Sequence, residues 1–163
     1  LEIEFRKNLN NFFNANINAS LIESKQTYGQ VETNLRTLAL RDGETLTGSR
    51  QLQGQSPYLI NASLDFNNQN GTRAGLYFNM QGKTLEVVGA GYNPDIYTHP
   101  FESLNFTFSK SFGQESKKSI NLKVENILGS KRESFAESFR SIDQIYTFRD
   151  PGVKFSLGYS INL

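Results

Sequence analysis

The chain has 163 residues, a formal net charge of +1 and no cysteine, while 37% of its residues are hydrophobic and 20% are charged. This length suits one domain, the balanced charge gives no field that would attract nucleic acid, and the absence of cysteine excludes a disulfide framework and any cysteine metal site. No apolar run reaches the ~18 residues of a membrane helix, and because neither a signal peptide nor Met opens the chain, we expect Leu1 to follow a processing site or further sequence.

Seven segments show the two-residue apolar period that is typical of β-strands. In chain order they cover residues 1–6, 13–21, 58–66, 73–80, 104–109, 120–125 and 153–163. The faces opposite the apolar residues are rich in Asn, Ser and Thr, with few charges. The pattern predicts an all-β, antiparallel protein of about seven strands, each with one apolar and one polar face.

The connections between these segments alternate between short and long. The short ones, 7–11, 67–71 and 113–118, are polar, and Asn70-Gly71 is a direct hairpin signal. The long ones, 22–57, 81–101 and 126–152, hold all four prolines at their ends or within them. We predict no helix longer than a turn or two; the best candidate is 134–140, which could equally extend a strand.

Two fold hypotheses fit this alternation. Strands of nine to eleven residues, with short turns at one end and long loops at the other, are typical of outer-membrane β-barrels. An odd number of strands then indicates part of a larger barrel, because single-chain bacterial barrels usually have an even number. A soluble β-sandwich or lipocalin-like barrel would show the same alternation of faces.

Five segments carry a more specific resemblance: RQLQGQSPYLINASLDF (50–66), GLYFNMQGKTLEVVGAGYNPDIY (75–97), FESLNFTFSKSF (101–112), INLKVENILGSK (120–131) and DPGVKFSLGYSINL (150–163). In this order they resemble the C-terminal barrel of TonB-dependent outer-membrane receptors of the Bacteroidetes type. The resemblance implies that residues 1–163 form the last third of a 22-stranded transmembrane β-barrel, without its plug domain. The long loops would then face the cell exterior and the short turns the periplasm.

The resemblance implies uptake of a nutrient such as a siderophore, a glycan or a peptide, driven by the TonB complex through a plug outside these residues. The implied partners are outer-membrane lipid, lipopolysaccharide, the barrel-assembly machinery during biogenesis and a surface lipoprotein. The alternative is a plugless outer-membrane barrel that acts as a structural or assembly scaffold for a lipoprotein or another complex. A soluble β-binding domain is a third hypothesis. None of these is an enzyme or involves nucleic acid.

The last segment also resembles the β-signal that the barrel-assembly machinery reads. The apolar residues of this signal would be Phe155, Leu157, Tyr159, Ile161 and Leu163. We expect a charge at Phe155 or Leu157 to block assembly. Aromatic residues near the loop ends (Tyr58, Tyr92, Tyr97, Tyr146) and the turn ends (Phe66, Phe112) are compatible with the two aromatic girdles of a membrane barrel.

The sequence predicts no catalytic, cofactor or metal site. His99 is the single histidine, and its spacing identifies no acidic partner for it. Asp42 and Glu44 flank Gly43 but lack the repeated spacing of a calcium loop. Five loop cations are candidates either for lipopolysaccharide phosphates or for ordinary surface charge: Arg41, Arg50, Lys83, Lys131 and Arg132.

Overall fold

A computed structural model describes residues 1–68, 70–113 and 117–161, and the prediction of an all-β, antiparallel protein is confirmed. The main sheet has seven strands in the order β1-β2-β5-β6-β9-β10-β13. Their bounds are β1 (Glu2–Asn8), β2 (Phe13–Leu21), β5 (Tyr58–Asn67), β6 (Thr72–Gln81), β9 (Phe101–Phe112), β10 (Lys118–Glu125) and β13 (Lys154–Ile161). Each overlaps one of the seven alternating segments, and six further strands among the described residues exceed the predicted number of about seven.

The three long connections contain regular structure of their own. A second, four-stranded sheet has the order β12-β11-β8-β7, from β7 (Thr84–Val87), β8 (Ile96–Thr98), β11 (Arg132–Ala136) and β12 (Gln144–Arg149). The first long connection adds the short pair β3 (Gln26–Thr27) and β4 (Ser49–Arg50), together with the helix α1 (Gln30–Ala39). We call these elements together the loop-side layer.

Helix α1 corrects the prediction that no helix exceeds a turn or two, since it has ten residues. Its apolar residues Val31, Leu35 and Leu38 follow helical spacing, but all three are exposed. The helix is held instead by its charged side, where Glu32 and Arg36 pair four residues apart. The helical spacing of Val31, Leu35 and Leu38 is the sequence signal for this helix, although the face of α1 that contacts the rest of the chain is charged. The other candidate, 134–140, begins in strand β11 and is not helical.

The short connection between β5 and β6 contains Asn70-Gly71, the predicted hairpin signal. Gly71 has a φ of +71°, and a Cβ there would lie 3.2 Å from the Ser111 side chain. The Asn68 carboxamide oxygen accepts hydrogen bonds from the backbone N–H of Asn70 and Thr72, at 3.1 and 3.0 Å. Gln69 and residues 114–116 of the short connections lie outside the described residues, as do residues 162 and 163.

The main sheet is open, with β1 and β13 at its two edges. Each edge strand is hydrogen-bonded to one neighbour, β2 and β10 respectively. Because all pairs are antiparallel and the number of strands is odd, β1 and β13 run in the same direction. Among the residues the structure describes, no helix is long and apolar enough to cross a membrane.

Candidate functional site: a two-faced sheet and its loop-side layer

Strand register brings the apolar residues of the main sheet together on one face. One row across six strands is formed by Ala15, Leu64, Leu76, Phe106, Val124 and Phe155. The charged residues of this face lie within three positions of a strand end: Lys7, Glu102, Lys110 and Lys118. The middle of the face is therefore a band without charge.

No other described element covers this apolar face. Leu85 is the single buried hydrophobic residue among the residues described, and it belongs to β7 in the loop-side layer. On β13, Leu157 and Phe155 are 79% and 73% exposed, and Tyr159 and Ile161 are exposed beside them. These four predicted signal residues share one face, whereas Leu163 lies outside the described residues. An apolar surface of this extent is unfavourable in water and is typical of membrane or protein interaction sites.

The opposite face of the main sheet carries mostly polar side chains, and an open concave space of about 920 Å³ lies near the turn ends of the strands. Residues that line it include Asn14, Asp65, Asn121 and Ser156, from four different strands. Side-chain hydrogen bonds run across the strands, such as Asn79 to Asn61 at 2.7 Å and Asn16 to Ser63 at 3.2 Å. This face is suited to contact with water or a polar ligand.

One aromatic ring lies across this polar face. Tyr77 donates a hydrogen bond of 2.7 Å from its hydroxyl to the Asp65 carboxylate. The ring crosses over Gly75, where an added Cβ would lie 2.6 Å from the ring carbons of Tyr77. Gly75 therefore permits a close approach that no other residue type would allow at this position.

Aromatic residues also gather at the turn ends of the strands. The rings of Phe13 and Phe66 have centroids 5.0 Å apart, and those of Phe112 and Tyr159 are 6.4 Å apart. At the other end, Tyr58 begins β5, while Tyr97 and Tyr146 belong to β8 and β12 and Tyr92 lies between β7 and β8. The predicted girdle residues thus lie at the two ends of the main sheet or in the loop-side layer.

A cluster of charges holds α1 against the rest of the loop-side layer. Arg36 donates to Glu32 at 3.0 Å, to the Asp95 carboxylate at 2.8 Å and to the Gly89 carbonyl at 3.0 Å. Arg50 pairs with the same Glu32 carboxylate. The Tyr28 ring lies beneath both guanidinium groups, 4.8 and 5.2 Å from their central carbons.

This cluster shifts the pKa of its members in the directions that its contacts dictate. Burial acts to raise the pKa of Glu32, but the hydrogen bonds from Arg50 and Arg36 outweigh it and lower that pKa. Burial acts to lower the pKa of Arg36, yet its bonds to Asp95 and Glu32 raise it. Burial raises the pKa of Tyr97, and the nearby negative charge of Asp95 adds to the effect.

The predicted loop cations are directed toward partners within the chain. Arg41 donates to the Phe139 carbonyl at 2.7 Å, and Lys83 pairs with Glu137. Lys131 lies 3.5 Å from the Asp150 carboxylate, and Arg132 lies over the Phe101 ring at 4.4 Å. With Arg50 bound to Glu32, all five cations have contacts within the chain.

His99 has the acidic neighbour that its sequence spacing did not reveal. Its Nε2 lies 3.6 Å from Oε1 of Glu137, and its ring stacks on Phe135 with centroids 4.3 Å apart. Asp143 also lies within reach of both groups. The signal was absent from the sequence because β8, β11 and β12 come together only in the second sheet.

Comparisons with known proteins do not assign the chain to a family. No protein-family model matches it, and searches of curated proteins and of solved structures find no significant match. The resemblance to TonB-dependent receptors therefore stays a prediction from the quoted segments.

Proposed function

We propose that this chain is a segment of a transmembrane β-barrel in the outer membrane of a Gram-negative bacterium. The observation that carries the proposal is the uncovered apolar face of the seven-stranded sheet, with a polar, concave face behind it. A lipid bilayer would cover the first face, and a water-filled lumen would hydrate the second. A single sheet with this distribution has no interior of its own in which to bury its apolar side chains.

The dimensions of the strands support this proposal. Strand β6 has 10 residues. At a rise of ~3.4 Å per residue and a tilt near 45°, it spans about 24 Å along the membrane normal, close to the ~25 Å apolar band of outer-membrane barrels. The charged residues at the strand ends would then lie at the two interfaces, where a charge costs little.

Within this class, we propose a TonB-dependent receptor that takes up a nutrient, with the loop-side layer facing the cell exterior. The support is the order of the five resembling segments and the folded state of the long connections. The apolar face would hold lipid, the polar face would line the lumen around a plug, and the loop-side layer would cover the ligand. TonB would act through that plug, and the barrel-assembly machinery would insert the barrel.

The second candidate is a plugless barrel that serves as a scaffold. The observation in its favour is the exposed apolar stripe of α1, formed by Val31, Leu35 and Leu38 on the loop side. A surface lipoprotein that buries these three side chains would be held at the exterior of the barrel. Sequencing of the parent protein separates the two candidates, because a transporter requires a plug and a scaffold does not.

Membrane fractionation tests the barrel proposal directly. Bacteria that express the full protein are lysed, and the membranes are washed with alkaline carbonate, which removes peripheral proteins. We expect the protein to stay in the outer-membrane fraction and to dissolve only in detergent. A protein that remains in the aqueous fraction, folded and without detergent, would overturn the proposal and favour a soluble β-binding domain.

A further inference from the structure

Three side chains that suit a metal ion converge in the loop-side layer from three separate segments. His99 lies between β8 and β9, Glu137 follows β11, and Asp143 precedes β12. One ligand atom of each residue lies within 4.8 Å of the others. They form a group only because the second sheet aligns these strands, and this arrangement does not depend on the barrel proposal.

The first two residues are held in place by contacts that do not involve a ligand. The His99 backbone N–H donates to the Glu133 carbonyl at 2.9 Å, and its ring stacks on Phe135. The Glu137 backbone N–H donates to the Asp95 carbonyl at 3.2 Å. These hydrogen bonds hold the backbone at His99 and at Glu137 without an ion.

A turn after β11 brings Asp143 close to His99 and Glu137. The Ser141 N–H donates to the Ser138 carbonyl at 3.1 Å, and Arg140 has a φ of +50°. Arg41 anchors the turn through the Phe139 carbonyl at 2.7 Å and the Ser138 hydroxyl at 3.1 Å. Among the described residues, no cation pairs with Asp143, so its carboxylate is available to a ligand.

The two oxygens of Glu137 have different neighbours. Lys83 contacts Oε2, whereas Oε1 faces Nε2 of His99 at 3.6 Å. Two ligands of a tetrahedral Zn²⁺ ion, each 2.0–2.1 Å from the metal, are about 3.4 Å apart. The His99–Glu137 separation is close to this value, and Lys83 orients the carboxylate from its other oxygen.

We propose that His99, Glu137 and Asp143 bind a divalent transition-metal ion, for which Zn²⁺ is the best fit. An imidazole nitrogen with two carboxylate oxygens suits Zn²⁺, whereas Ca²⁺ and Mg²⁺ prefer all-oxygen sites. Three protein ligands leave the fourth position open to water or an external ligand. The ion would join the end of β8 to the turn between β11 and β12.

Calorimetric titration of the full protein with Zn²⁺, in detergent and without a histidine tag, tests this site. We expect saturable binding that is at least ~10-fold weaker in His99→Ala and in Asp143→Asn. The matched control is Asp42→Asn, which removes the same charge from another loop and should bind as the unchanged protein does. Mg²⁺ and Ca²⁺ at the same concentration should produce no comparable binding.

Limited proteolysis gives a second readout that does not depend on heats of binding. Zn²⁺ should slow cleavage within residues 137–143 in the unchanged protein and in Asp42→Asn, but not in Asp143→Asn. The site is disproved if binding is absent, or if both ligand variants bind Zn²⁺ as tightly as the unchanged protein. Such a result would leave the barrel proposal intact, since carbonate washing tests that separately.

Discussion

At the scale of single residues, the best-defined interactions are charged and lie in the loop-side layer. Arg36 binds Glu32 on its own helix and Asp95 in the connection between β7 and β8. The Arg36 and Asp95 side chains are only 14% and 10% exposed, so the pair is largely removed from water. Breaking such a pair leaves an uncompensated charge, which makes it a stronger constraint than a surface ion pair.

The lowered pKa of Glu32 predicts how the attachment of α1 depends on pH. A depressed folded-state pKa means that Glu32 contributes stability above its ordinary value of 4.5, and that this is lost as pH falls through the lowered value. Amide exchange in α1, corrected for the intrinsic effect of pH on exchange, should therefore accelerate as the pH falls from about 6 to about 3. Equal protection at both ends of this range would contradict the assignment. Glu32→Gln is the control and should lack this dependence.

At the scale of elements, the two faces of each strand determine what a substitution does. In β13, Leu157 pairs with Leu122 on the apolar face, whereas its neighbour Ser156 pairs with Lys123 on the polar face. Leu157 and Ser156 are thus adjacent in one strand but face the apolar and the polar side of the sheet. This permits a matched comparison within two residues.

Leu157→Arg is expected to impair assembly, because a cation facing the middle of a bilayer costs about 2–4 kcal/mol. Ser156→Arg adds the same charge on the polar face and is expected to assemble. The measurement is the amount of folded protein in the outer membrane, read from the heat-dependent mobility of the barrel on gels. Equal amounts of the two variants would show that the Leu157 face does not contact lipid.

At the scale of the whole molecule, the two free edges of the main sheet determine how a barrel that contains it could close. A ring made of copies of this chain would join β13 of one copy to β1 of the next in parallel, unlike any pair within the main sheet. An all-antiparallel closed barrel therefore needs an odd number of further strands. Closure would also satisfy the outward N–H and C=O groups of β1 and β13, which lipid cannot do.

Hydrogen exchange of the membrane-inserted protein tests whether the edges are paired. In a closed barrel, amides of β1 and β13 should exchange as slowly as those of β6, which has a neighbour on each side. In an open sheet, the outward amides of the edge strands should exchange rapidly while β6 stays protected. The second pattern would contradict closure. Strand β6 is the internal control, so differences in detergent or lipid affect both sets equally.

The sequence by itself determined the main sheet, because a two-residue period assigns each side chain to a face regardless of distant contacts. The number and positions of the strands in the main sheet followed from that local rule, and the turn residues Asn70-Gly71 identified one hairpin. Only the tertiary structure decided the loop-side layer. Helix α1 is attached by Arg36 and Asp95, and the candidate metal site joins residues 99, 137 and 143. These contacts link residues far apart in the chain, and no local period records them.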